Sequence, residues 1–416
     1  MSVPPSLICS DWPNMRHLRL LDLAAQDGSL TKAARAVHIS QPAASQAIAK
    51  LARVFDAPLL ERVGNAVTLT PEGQIVTERA RRALAHLQDP ALFAKGRARQ
   101  ASADLLERYA SITQLRVMAL FALTGSFPAT ARGLGQTEAS VQRAAKDIEQ
   151  IIGQPVLEGG RRSRALNAVG QNIARRASLA LREIELAHAD LRARKGLFDS
   201  RLVIGALPLA RTRLVPRAVL RLLEKYPFAR IEILDGAYEF LLQRLRLGAC
   251  DLIVGALRDD VGADDLLEAP LLSDSLRLVA RAGHPFVGAE ISGPELGQFP
   301  WIVPRRDAPA RRVFEAFAQR HGLGQHLRGH VETGSLVVLR GILLESDALA
   351  LISPNQIRYE LEQGLLVTLD IPVPGSARAI GVTALRTGLP GRLHLDFLEF
   401  LAQEVARSAA SDGGFR

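Results

Sequence analysis

SLTKAARAVHISQPAASQAIAKLA, residues 29–52, and SFPATARGLGQTEASVQRAAKDIE, residues 126–149, stand 97 positions apart, and reading them decides how this chain is organised. In the first, Gly28 can end a preceding helix carrying Leu18, Leu21, Leu23 and Ala24, and Ser29 or Thr31 can cap the next. That second helix is short and offers Ala33, Ala34 and Val37 to a close neighbour. After His38 and Ile39, Ser40 is a good N-cap for a third helix, with Pro42 in the first turn, where a missing N–H costs nothing. Ala44, Ile48, Leu51 and Phe55 follow at helical spacing, so one stripe is buried, while Gln41 and Ser45 share the outward side. The expected unit is a helix-turn-helix.

Such a third helix fits the major groove of duplex DNA, where its first residues reach base edges. The amide of Gln41 can pair with adenine, Ser45 can donate or accept, and the free N–H groups at the helix start favour a phosphate. Lys50 and Arg53 add charge, with no acid between Ser40 and Phe55. PLLERVGNAVTLTPEG (58–73) then reads as a β-hairpin turning at Gly64-Asn65, with Val67 and Leu69 inward and Arg62 and Asn65 on a wing facing the DNA backbone.

The segment 29–73 resembles the LysR-type transcriptional regulators. The resemblance is carried by Ser40-Gln41-Pro42, Ser45, Leu59-Leu60-Glu61-Arg62 and Leu69-Thr70-Pro71-Glu72-Gly73. It implies a DNA-facing set of Thr31, Lys32, Ser40, Gln41, Pro42, Ser45, Gln46, Lys50, Arg53, Arg62 and Asn65. The family usually has Arg where this wing has Asn65, which weakens the expected phosphate contact there.

The second copy aligns without a gap: 15 of 58 positions are identical between 17–74 and 114–171, and the buried stripe recurs as Val141, Ala145, Ile148 and Ile152. The exposed chemistry does not recur. Gln41, Pro42 and Ser45 become Glu138, Ala139 and Gln142, and residues 137–152 carry a net −1 where the first copy carries +2. Gln142, Arg143, Lys146, Arg161, Arg162 and Arg164 are its candidate DNA contacts. Two roles stay open for it: packing or gripping the DNA backbone, and reading bases.

The charge is unevenly placed. Residues 1–196 hold 27 Lys and Arg against 17 Asp and Glu, and the remaining 220 residues hold 25 against 26. A positive excess confined to one half suits a polyanion partner for that half. Cys9 and Cys250 form no metal or disulfide pattern, and the nine histidines, with His284, His321, His326 and His330 the nearest to a group, lack metal spacing. There is no GxSxG, HExxH, Walker loop or GxGxxG after a strand, so an enzyme is not expected, and neither is a metal or cofactor. No export signal or membrane-spanning run is read, which points to the cytoplasm.

From Arg201 onward, strands alternate with helices, as in RLVIGAL (201–207), ARIEILDG (229–236) and CDLIVGAL (250–257), a pattern of parallel strands with helical crossovers. By resemblance this half is the family's effector-binding region, two-lobed like a periplasmic solute-binding protein, and it looks most like the branch of galactose-binding-protein and protocatechuate-pathway regulators. Ligands in such sheets sit beyond strand carboxyl ends. Pro208, Arg211, Thr212, Ala237, Tyr238, Arg305, Thr333, Ser335 and Ser353 are therefore the candidate effector residues, with a small carboxylate as the expected ligand.

The expected fold class is a multidomain α+β chain. Its parts are a first winged helix-turn-helix (1–88), a helical connector (89–111), a second winged unit (112–167), a dimerisation linker helix (168–196), the effector domain (197–408) and a flexible tail (409–416). Lobe one is expected at 201–272 and 370–408, and lobe two at 273–369. By resemblance the linker helix pairs with its twin from another subunit; the alternative is packing within its own chain. The expected partners are double-stranded DNA, a small-molecule effector, further copies as homodimer or homotetramer, and RNA polymerase. The competing function is a ligand sensor or partner-binding protein that keeps the fold without reading DNA.

Overall fold

A computed structural model describes residues 12–64, 66–88, 105–160, 164–258, 264–291, 293–306, 308–323 and 329–412. Asn65, Arg161, Arg162, His326, Cys9 and most of the expected connector lie outside the described residues. The N-terminal half begins with α1 (Met15–Asp27), α2 (Leu30–Ala36) and α3 (Gln41–Val54), followed by the antiparallel pair β1 (Leu60–Val63) and β2 (Ala66–Leu69), then α4 (Pro71–Leu87). Ser29, not Thr31, caps α2, accepting from Lys32 N, and Ser40 caps α3, accepting from Ala43 N at 3.3 Å. After α5 (Leu105–Tyr109) the same order returns. It runs α6 (Ile112–Thr124), α7 (Phe127–Leu134), α8 (Glu138–Ile152), the pair β3 (Leu157–Glu158) and β4 (Ala165–Leu166), and α9 (Ala168–Arg194).

The joints of the two series make equivalent contacts. Thr70 accepts from Gly73 N at 2.9 Å and donates to the Pro58 carbonyl; Asn167 accepts from Gly170 N at 2.9 Å and donates to the Pro155 carbonyl. A Cβ on Gly73 would lie 1.9 Å from the Leu59 carbonyl oxygen, and one on Gly170 would lie 2.2 Å from that of Val156. Both positions therefore demand glycine, because the long helix starts against the chain that precedes the hairpin. The copies differ at two left-handed positions. His38 (φ 56°) and Asp56 (φ 49°) stand where the second series has Gly135 (φ 63°) and Gly153 (φ 72°).

α4 and α9 pack antiparallel. Glu72, at the start of α4, pairs with Arg194, at the end of α9, at 2.8 Å, while Arg176, early in α9, donates to the carbonyls of His86 and Gln88. The apolar stripe of α9, with Ile173, Ala177, Leu181, Ile184 and Leu191, is buried against α4 and α6 of the same chain. Of the two readings weighed from the sequence, packing within its own chain is the one this stripe makes. The physical reason is that α4 already carries a matching stripe, Val76, Ala80, Ala83, Leu84 and Leu87, tethered in the same chain.

The C-terminal half contains two five-stranded sheets. The first sheet comprises β5 (Arg201–Ala206), β6 (Arg230–Leu234), β7 (Leu252–Ala256), β8 (Leu266–Asp274) and β14 (Arg378–Leu385), in the order β6-β5-β7-β14-β8. α10 (Leu214–Lys225), α11 (Tyr238–Arg246) and the closing α15 (Arg392–Asp412) accompany it. The second sheet comprises β9 (Arg277–Arg281), β10 (Trp301–Val303), β11 (His330–Glu332), β12 (Leu349–Ile352) and β13 (Leu366–Leu369), in the order β11-β10-β12-β9-β13, with α12 (Pro309–Arg320), α13 (Leu336–Glu345) and α14 (Arg358–Glu362). In both, the central strands are parallel, and an antiparallel strand brings the chain in or back. Sequence reading missed β8. It is an edge strand with Pro270 at a register break opposite Gly381, and a proline inside a run argues against a strand except at an edge or bulge. α15 runs to Asp412, into the segment expected to be a loose tail.

Asp274 ties the crossings between lobes together. It is buried and accepts from Ser353 Oγ at 2.6 Å, Asn355 Nδ2 at 3.1 Å and the Arg378 guanidinium at 3.0 Å.

Two stability predictions follow from these joints. His38→Gly relieves a left-handed backbone that the second copy already gives to glycine, and is expected to raise stability by about 1 kcal/mol in urea denaturation; a loss of that size would contradict the strain. Asp274→Ala strips the Arg378 side chain, 20% exposed, of its carboxylate. It should cost about 3 kcal/mol, read as a lowered urea midpoint for the C-terminal half.

Candidate nucleic-acid interface and effector cleft

α3 buries Ala44, Ala47 and Leu51 and leaves Gln41, Pro42, Ser45, Gln46, Lys50 and Arg53 exposed on the opposite face. Gln41 Nε2 donates to Ser45 Oγ at 3.5 Å, so the two side chains predicted to read bases already lie together one turn apart. Thr31 and Lys32 are exposed at the start of α2, and Arg62 is exposed on β1 opposite Val67. The hydroxyl of Ser40 is used as acceptor for the cap but keeps its proton for a phosphate oxygen. The local field is positive: burial first, then Lys50 and Arg16, hold His17 below its ordinary value. This face carries polar and cationic side chains on a rigid helix.

The corresponding face of α8 differs from what its residue count suggested. Asp147 accepts from Gln114 Nε2 at 3.1 Å and Glu149 accepts from Val156 N at 2.9 Å, so two of its three acids are engaged with the body of their own unit. Glu138 accepts from Gln142 Nε2 at 2.9 Å, reproducing the one-turn pairing of Gln41 and Ser45 with different chemistry. Arg143 and Lys146 are exposed beside that pair, and Arg164 is exposed next to β4. The outward face thus carries one carboxylate against two cations, where the sequence count for the whole helix is −1. Charge counting along a helix cannot distinguish acids spent on internal hydrogen bonds from acids facing solvent.

Between the two lobes lies a cleft of about 1360 Å³. Pro208, Arg211, Thr212, Ala237, Tyr238, Arg305, Thr333 and Ser335 line it as expected. Ser353 does not: it is fully buried, donates to Asp274 and accepts from Asn355 N, and therefore belongs to the crossing between lobes. Thr212 Oγ1 reaches the Leu209 and Asn355 carbonyls, bridging the lobes. The wall carries eight arginines against four carboxylates. Arg258, overlooked in the sequence, follows β7 at its carboxyl end and stacks over the Tyr238 ring at 4.7 Å. The same strand-end rule that selected Arg211 and Tyr238 would have found it. Among the described residues the Tyr238 hydroxyl and Arg258 Nε have no hydrogen-bond partner. Burial, then Glu268, raises the Tyr238 phenol above its usual value, so it stays a donor.

Three helices also begin at this cleft without a side-chain cap. The residues before α10, α11 and α12, namely Arg213, Ala237 and Ala308, all line it and none caps its helix by a side-chain hydrogen bond. Partial positive charge at these helix starts and arginines converge there on one cavity, an arrangement that favours an anion. Elsewhere, among the described residues, no group of three metal-capable side chains occurs. His284 packs against Phe286 and Phe299 and is held below its ordinary value chiefly by burial. Burial pushes the Cys250 thiol up to about 12, an unreactive state. No helix of the described residues is long and apolar enough to cross a membrane.

Comparison with known proteins finds relatives of both halves. Residues 15–74 match the model of the bacterial regulatory helix-turn-helix protein, lysR family, and residues 195–406 match the LysR substrate binding domain. The HTH-type transcriptional regulator GalR of Pseudomonas putida is 32% identical over 377 residues, 90% of this chain and 93% of that protein. An alignment of that length must run through residues of both helical series. PcaQ of Agrobacterium fabrum is 26% identical over 271 residues, covering 65% of this chain and 86% of its own. Full-length OxyR C199D from Pseudomonas aeruginosa shares the fold, with a TM-score of 0.53 at 18% identity over 71% of this chain and 94% of that one. With a helix-turn-helix at its N-terminus and a two-lobed substrate-binding domain behind it, the chain belongs to the LysR family of transcriptional regulators.

Proposed function

We propose that this regulator reads duplex DNA through α3 and that a small anionic effector, most simply a carboxylate, binds between the lobes and modulates that reading. The single observation that carries the first part is the α3 face, with Gln41 and Ser45 paired one turn apart and Lys50 and Arg53 beyond them. Amide and hydroxyl groups at the start of a helix are the donors and acceptors that discriminate base edges, while the cations neutralise phosphates. Thr31, Lys32, Ser40, Pro42, Gln46, Arg62 and Asn65 complete the proposed contact set. The second part rests on the convergence of arginines, uncapped helix starts and the unpartnered Tyr238 hydroxyl on the cleft.

The proposal divides the chain into a first winged unit (1–88), a connector (89–111), a second winged unit (112–167), a linker helix (168–196) and an effector domain (197–408) like a periplasmic solute-binding protein. Gln142, Arg143, Lys146, Arg161, Arg162 and Arg164 are the second unit's proposed contacts. The reading carries with it a cytoplasmic location, a homodimer or homotetramer, and contact with RNA polymerase at regulated promoters. A ligand can bias DNA binding only as far as it prefers one arrangement of the lobes.

Binding to duplex DNA is expected to weaken steeply with salt, as phosphate-neutralising contacts require; a flat salt titration would favour a sensor that does not touch DNA. Gln41→Ala should lose about 1–3 kcal/mol of discrimination at one base pair while leaving the salt slope unchanged, measured by competition between single-base operator variants. In a thermal-shift screen of small carboxylates, amines and neutral sugars, a carboxylate should raise the melting temperature, and Arg258→Ala should abolish the shift. Stabilisation by amines or sugars alone would sink the anionic assignment.

A further inference from the structure

The duplication extends beyond the helix-turn-helix units into the long helices that follow them. At the same 97-residue offset, Ala80 matches Ala177, Leu84 matches Leu181 and Leu87 matches Ile184, all buried in the seam between α4 and α9. Arg79 matches Arg176, and the two make reciprocal contacts. Arg79 reaches Glu183 at 2.9 Å and Asp190 at 2.8 Å in the C-terminal part of α9, and Arg176 reaches the His86 and Gln88 carbonyls at the C-terminal end of α4. His86 and Glu183 are themselves equivalent positions and stand 3.9 Å apart. Equivalent residues can meet in this reciprocal way only beside a local two-fold axis. Since each unit is joined to its long helix through an equivalent glycine and an equivalent capping bond, from Thr70 in one and Asn167 in the other, that axis carries α3 onto α8.

We infer that one chain carries a complete, pseudo-two-fold DNA-reading head, so that a single copy engages two half-sites of an asymmetric operator, one with α3 and the other with α8. The inference rests on the proposal that α3 reads DNA. The two half-sites must differ because the paired side chains differ: Gln41 with Ser45 on one helix, Glu138 with Gln142 on the other. An amide suits adenine, whereas a carboxylate accepts from the amino group of cytosine. The α8 face is able to approach phosphates because two of its acids are engaged internally while Arg143 and Lys146 face outward.

The test is enrichment of random duplex DNA by the full-length protein, followed by native mass spectrometry of the selected complexes. The expected motif consists of two unequal elements, with one chain for each such pair of elements. Gln41→Ala should lower base preference about 5- to 150-fold in one element only, and the double variant Gln142→Ala/Arg143→Ala in the other only. These are exposed positions, and unchanged thermal unfolding of each variant verifies folding. A motif of two identical elements, each degraded by Gln41→Ala, untouched by the double variant and occupied by two chains, overturns the inference while leaving α3 as the reader. Failure to enrich any sequence, with binding insensitive to salt, overturns the DNA-reading proposal and the inference together.

Discussion

The contact on which the N-terminal half depends is the buried guanidinium of Arg79. It is 3% exposed and lies in the seam between α4 and α9, donating to Glu183, Asp190 and the Leu389 carbonyl. A buried cation is expensive unless each of its donors finds an acceptor, and here carboxylates on α9 and a carbonyl from the effector domain supply them. Burial alone would raise Glu183, but the nearby His86, the hydrogen bond from Arg79 and the charge of Arg82 hold it below the ordinary carboxylate range. For Asp190 burial wins over Arg79 and the carboxyl is raised. One side chain thus sets the register of the two long helices and fastens them to the rest of the molecule.

That fastening joins the N-terminal half to one lobe of the effector domain. Arg82 donates to the Thr387 carbonyl, Arg182 pairs with Asp251 at 2.6 Å, and Arg175 pairs with Asp265 at 3.2 Å. All of these acceptors belong to the lobe that contains β5, β7 and β14. The seam of α4 and α9 and that lobe therefore share a common ionic interface, while the second lobe connects through the two crossings held by Asp274. A ligand that prefers one spacing of the lobes can shift what is joined to them only by the difference in its affinity for the two spacings.

Much of the local architecture was legible in the sequence because its causes are local. Gly28, Ser29, Ser40, Thr70 and Pro71 are cap and breaker residues whose effect extends one turn, and the helices begin and end where they stand. The stripes in α3 and α8 follow from helical period alone. β8 was illegible because Pro270 disguises an edge strand, and Ser353 was misassigned because a serine after a strand looks alike whether it faces a cleft or a buried aspartate. The charge on the α8 face was misjudged because the partners of Asp147 and Glu149 lie on other elements of the unit.

By itself the sequence determined that this chain carries a helix-turn-helix, that its sequence pattern recurs at an offset of 97, and that a two-lobed α/β half follows. Those conclusions rest on caps, periodicity and motif, which are short-range properties. Only the tertiary structure decided what α9 packs against, because a long helix with one apolar stripe satisfies a second subunit and an equivalent helix in its own chain equally well. Tethering α4 to the same polypeptide raises its effective concentration beside α9, and reciprocal arginine contacts at equivalent positions then select the antiparallel register that closes the pair within one chain.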